Sequence, residues 1–183
     1  MALLHRATIS PTKLELVAAW LPAQDWYPGG TVPADLERVA AARFDDPAGA
    51  VGVEILVVRS GDGPLLHAPL TYRDAPLDGA GQWLIGTTEH SALGKRWVYD
   101  GVGDPVFVAC AAGAIRTGGH EAPEYFEVDG VREAREPLMR MRGTGGDGGE
   151  LVVRRVLDET PAAGPALLGT WTRTVVLAEL RAS

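Results

Sequence analysis

A long apolar hairpin constrains this chain more than any other feature. Val51–Arg59 is rich in β-branched residues and bounded by glycine-containing segments. The loop Ser60-Gly61-Asp62-Gly63-Pro64 then returns the chain into a partner strand, Leu65–Tyr72. Downstream, Trp83–Thr88 and Arg96–Tyr99 read as short strands. Tyr125–Val128, Glu136–Arg142, Glu150–Leu157 and Thr170–Leu180 read as a run of strands on glycine-rich turns. Consecutive strands on short turns predict an antiparallel meander, with Gly143–Gly149 as one of its hairpin turns. Leu138, Arg140 and Arg142, and again Val153, Arg155 and Leu157, alternate as if one face were wetted. Ala40, Ala41 and Ala42 would suit a helix at Leu36–Phe44, but the hairpin that follows favours a strand there.

Two helices complete the pattern. Ser10-Pro11 looks like a helix start, with Leu14, Val17, Ala18 and Leu21 at helical spacing and Pro22 at the end. Asp104-Pro105 repeats the device and predicts a helix to about Arg116, stopped by Gly118-Gly119. The predicted fold class is α+β, one domain over residues 1–183. A chain of 183 residues buries roughly 70% of its unfolded surface, so neither metal nor disulfide is required to hold it.

Charge and cysteine usage narrow the function classes. The net charge is −7, and only two of the seventeen cations are lysines, Lys13 and Lys95. That argues against a nucleic-acid or acidic-membrane binder, which needs clustered cations to neutralise phosphates. Cys110, the one cysteine, lies among small apolar residues and reads as core. Met1–Ile9 is too short an apolar run for a signal peptide. No apolar stretch approaches the ~20 residues of a membrane span. The expectation is a cytoplasmic protein.

Several of these segments match a known pattern. Trp26-Tyr27 follows the first helix; Val51–Val58 leads to Ala68-Pro69-Leu70-Thr71-Tyr72-Arg73; Leu84–His90 is followed by Arg96-Trp97-Val98-Tyr99-Asp100 and Asp104-Pro105. This pattern resembles the N-terminal cap of maltokinases, over roughly Leu3 to Leu180. It also resembles stand-alone actinobacterial cap-like proteins that lack the kinase body. The resemblance implies a curved antiparallel sheet with two main helices packed on one face, similar to the cystatin fold. It also implies a setting in carbohydrate metabolism.

The kinase chemistry itself has no sequence to carry it. Phosphoryl transfer needs phosphate positioning, metal binding and a base, and no segment reads as a catalytic loop or Walker motif. Gly143–Gly149 lacks a lysine and leads into a strand, where a phosphate cradle would open a helix. No motif pairs carboxylates for glycosyl transfer. His5, His67, His90 and His120 are too dispersed for a metal pair. No cofactor or metal is implied.

The densest polar run is Thr87–His90. Thr88, Glu89, His90, Arg96, Tyr99 and Asp100 are candidate ligand-binding residues for a sugar or phosphate. The competing reading makes Thr87–His90 a turn that satisfies its own backbone, with Arg96 pairing Glu89 or Asp100. Trp26 and Tyr27, in a turn, are the aromatics expected to be exposed and to mark a partner surface. Three functions follow. The first is a non-catalytic accessory or regulatory domain that binds a kinase, a glucan-metabolism enzyme or itself. The second is a sugar or sugar-phosphate binding protein. The third is part of an ATP-dependent sugar kinase assembled in trans.

Overall fold

A computed structural model describes residues 2–4, 8–128 and 131–182. β1 (Ala2–Leu4) and β2 (Ile9–Ser10) precede α1 (Lys13–Trp20). Ser10 belongs to a strand and does not cap the helix. Thr12 does: its hydroxyl accepts from the Glu15 amide while the Glu15 carboxylate accepts from the Thr12 amide. This reciprocal box satisfies two backbone donors at once. Pro22 then lies in a single 3-10 turn, Leu21–Ala23, that ends the helix.

The central sheet is antiparallel in the order β2-β6-β7-β5-β4-β3. Its long members are β3 (Leu36–Asp45), β4 (Gly52–Ser60) and β5 (Leu65–Arg73), followed by β6 (Leu84–His90) and β7 (Gly94–Asp100). The expected central hairpin is β4–β5, and Leu36–Phe44 is strand. α2 (Pro105–Thr117) starts at Asp104, whose carboxylate accepts the Val106 amide, and stops at Gly118 with φ of 69°. That left-handed φ favours glycine. β8 (Glu124–Val128) pairs with β9 (Val131–Arg135) and, in parallel, with β1.

The C-terminal strands depart from a meander. β10 (Arg140–Gly143), β11 (Glu150–Val153), β13 (Ala166–Thr170) and β14 (Thr174–Arg181) form a second sheet in the order β10-β13-β14-β11. β10 and β11 therefore stand at opposite edges with two strands between them, and Gly143–Gly149 is a crossover, not a hairpin turn. Its amides are committed to the end of α2: Gly145 donates to the Ile115 carbonyl and Gly146 to Arg116. A helix C-terminus leaves carbonyls unpaired, and this loop supplies their donors. Glycine is required at Gly143, where a Cβ would sit 1.9 Å from the Ala114 carbonyl oxygen.

Glu150–Leu157 is also broken, at Arg154-Arg155. β11 stays with β14, whereas β12 (Val156–Leu157) crosses to pair with β5. The alternation expected there fails because Arg155 turns inward. The alternation in Arg140–Arg142 holds, with Met141 buried between two exposed arginines.

The fold is α+β with a curved antiparallel sheet and two helices. The helices occupy opposite faces of the central strands, not one face. Ala40, Ala42, Val53, Ile55 and Val57 point to α2 and the second sheet, meeting Phe107, Ile115, Met141 and Leu177. Ala41, Leu56, Val58, Leu66 and Leu70 point the other way, to Val17 and Leu21. Successive strand residues face opposite sides, so a run apolar at every position requires cover on both.

Candidate functional site

The residues singled out in the sequence separate into several places. Thr88, His90 and Arg96 share the α1 side of the sheet. Thr88 is buried and its hydroxyl donates to the Pro11 carbonyl at 2.7 Å. His90 Nδ1 accepts from the Ala92 and Leu93 amides, both at 3.2 Å, and Arg96 donates to the Leu93 carbonyl at 2.8 Å. Thr87–His90 is part of strand β6 and not a turn; the His90 and Arg96 side chains staple the β6–β7 turn that follows it. Glu89 is exposed.

Tyr99 and Asp100 are buried elsewhere. The Tyr99 hydroxyl accepts the Leu77 amide. Asp100 pairs with Arg155, not with Arg96. Burial pushes the Asp100 carboxyl up, and the Arg155 charge only partly offsets it. The guanidinium of Arg155 also stacks 5.0 Å from the Trp26 ring centroid, and Trp26 meets Trp20 edge-on at 5.6 Å. Trp26 and Tyr27 are thus half-buried against the α1-side core, not an exposed patch. The turn that holds them is covered by an arginine from the distant β11–β12 link, which local sequence could not reveal.

What the α1 side does present is a cleft of about 550 Å³. It lies between α1, the β3–β4 turn, the β6–β7 turn and the β8–β9 hairpin. Thr88, His90 and Arg96 line it, joined by Lys13, Arg43, Glu54 and Tyr72. Those four were not marked by any motif. A signal existed: Glu54 interrupts an otherwise apolar strand, and a carboxylate at such a position needs partners. Lys13 supplies two bonds to it, at 2.8 and 2.7 Å, and the Tyr72 hydroxyl donates a third at 2.7 Å. Arg43 stands directly opposite Glu54 across the β3–β4 pair. Burial alone would raise the Glu54 carboxyl, but the Lys13 charge and these hydrogen bonds outweigh it and hold it low. The same burial, together with the Glu54 charge, drives Tyr72 well up.

The other buried acids are joined to structural partners. Asp104 accepts from Thr71 and from both the Nε and a terminal nitrogen of Arg73, at 2.7 to 2.8 Å, while capping α2. Glu179 takes Arg154 and the Ala163 amide. Glu121 takes Arg140 and the Met141 amide. Cys110 is half-buried, and burial followed by the Asp46 charge pushes its thiol up. A raised thiol is a poor nucleophile. Among the described residues no group of three or more His, Cys, Asp or Glu is placed to hold a metal ion. No described helix is long and apolar enough to cross a membrane.

The strand order β3 to β7, with the Asp104-Pro105 helix start that follows, coincides with a family match over residues 20–104 to the maltokinase N-terminal cap domain. Over these residues the chain is similar to the maltokinase N-terminal cap domain. The match is narrower than the span of the resemblance read from the sequence. It ends at the N-cap of α2, so α2 and the second sheet lie outside the matched residues. No curated protein matches the chain.

Proposed function

We propose that this chain is a non-catalytic accessory domain. It acts in the cytoplasm by docking on a partner enzyme of α-glucan, trehalose or amino-sugar metabolism. The supporting observation is the fate of its buried acids. Glu54, Asp100, Asp104, Glu121 and Glu179 are each bound to an arginine or lysine, and four of them also hold backbone amides in place. Groups committed in this way brace a fold; a general acid or base needs a proton that it can exchange with substrate. The cap match supplies the pathway, since a cap of this kind belongs to a sugar kinase.

Two measurements test the reading. The purified chain incubated with ATP and maltose should form no ADP above the buffer rate. A tagged copy expressed in its host should recover a sugar kinase or glucan-processing enzyme at near-stoichiometric yield. ADP formation by the chain alone overturns the non-catalytic role, and a copy recovered alone overturns the docking role.

A further inference from the structure

We infer that the cleft on the α1 side binds a small phosphate-bearing molecule, with Arg43 as its anchor. This goes beyond the accessory role and does not depend on it. The argument starts from charge. Lys13 and Arg43 face a single carboxylate, Glu54, and Lys13 with Tyr72 already occupies both of its oxygens. Arg43 shares only the field of Glu54. Its Nε is closed off from solvent without a hydrogen-bond partner, and no hydrogen bond or ion pair within 4 Å reaches its guanidinium among the described residues. A half-buried arginine with no acceptor is uncommon, because a charged donor left unpaired is costly.

The surroundings do not remove that surplus. Asp45, Asp46 and Glu124 also line the cleft; Glu124 faces Arg135 at 4.0 Å, and the Asp46 carboxylate is turned into its own loop and accepts the Ala48, Ala50 and Val51 amides. Arg38 and Arg96 add positive charge to the wall, and Arg96 also carries a buried Nε without a partner. Five cations against four carboxylates line the cleft, and on a chain of net charge −7 that local surplus, with Arg43 unmatched, favours an anion. Phosphate fits best, since its several acceptor oxygens match the planar fork of a guanidinium. The Glu54–Tyr72–Lys13 cluster beside Arg43 gives the rest of the ligand a polar wall suited to hydroxyl groups. A volume of about 550 Å³ is within the range of small-molecule sites.

Calorimetric titration of the full chain tests this with inorganic phosphate, glycerol 3-phosphate, and sodium chloride at matched ionic strength. Saturable binding of both phosphates is expected, tighter for glycerol 3-phosphate, with no saturation by chloride. Arg43→Gln should weaken both by about tenfold or more, the loss of a charge-assisted contact. Arg59→Gln, at the exposed Glu37 pair on the far end of the hairpin, should leave them unchanged. A phosphate response equal to that of chloride, or full binding by Arg43→Gln, overturns the site. If Arg43→Gln does not fold, the wild-type chain still decides. Phosphate should protect Arg43 from phenylglyoxal in a peptide map, and equal modification with and without phosphate overturns the assignment.

Discussion

The two faces of the central sheet are built from the same strands and end differently. On the α2 face, the thirteen-residue helix and a second sheet close over Ile55, Val57 and Phe107, each no more than 1% exposed. On the other face, α1 has eight residues and spans about 12 Å. It lies against strands such as β3, whose ten residues run for about 33 Å. The short helix covers Leu56, Val58, Leu66 and Leu70, and beyond its reach the same face opens into the cleft around Glu54. A sheet apolar on both sides needs two covers, and where one cover is short the exposed end must be polar.

Three measurements break or sharpen that contrast. The largest effect belongs to the dry face. Phe107→Ala should cost about 3–5 kcal/mol, as expected for a buried aromatic truncated in a closed core. Leu16→Ala, at the wall of the cleft, should cost about 1 kcal/mol. Equal losses in urea denaturation would show that the two faces are equally closed.

Next comes the charge holding the wet face. Lys13→Met strips Glu54 of two hydrogen bonds and should cost about 2 kcal/mol at pH 7. The Glu54 carboxyl is depressed in the fold, so its contribution is present above the ordinary glutamate range and is lost as pH falls through the folded value. In the variant the carboxyl should rise, and the penalty should shrink at pH 4. An NMR titration showing Glu54 unmoved would assign its low value to Tyr72 and Arg43 instead.

The third effect is a slope, smallest when read over a single pH unit. His67, on the dry face, donates from Nδ1 to the Arg154 carbonyl and is held at about 3 by burial first and then by the Arg155 charge. The unfolded imidazole takes up its proton near 6.5 and the folded one does not. Stability is therefore full above about 6.5 and is lost as pH falls toward 3, by about 1.4 kcal/mol per pH unit. His67→Leu should flatten urea midpoints between pH 6.5 and 5 by that amount. An unchanged slope would mean that His67 protonates within the fold.

Local signals account for most of the elements. The β4–β5 hairpin, the Asp104-Pro105 helix start and the Gly118 stop were all readable, because each rests on φ/ψ preferences and caps within a few residues. The Thr12-x-x-Glu15 capping box was readable too, but the proline beside it drew the helix start to Ser10. At the candidate site, Thr88, His90 and Arg96 come together on one wall of the cleft. Glu89, Tyr99 and Asp100 lie apart from them, since neighbours in a strand point to alternate faces and Asp100 answers to a residue 55 positions away.

By itself the sequence determined the central strands, both helices and the polar run beside β6, since these follow from propensity, periodicity and capping at short range. Only the tertiary structure decided which strands adjoin, which face each helix covers and which charges meet. The glycine-rich segment shows the reason: its composition suits a hairpin, yet its amides go to α2 because the buried end of that helix needed donors. Pairings of this kind are chosen by what remains unsatisfied after the chain has packed, and no window of local sequence records that.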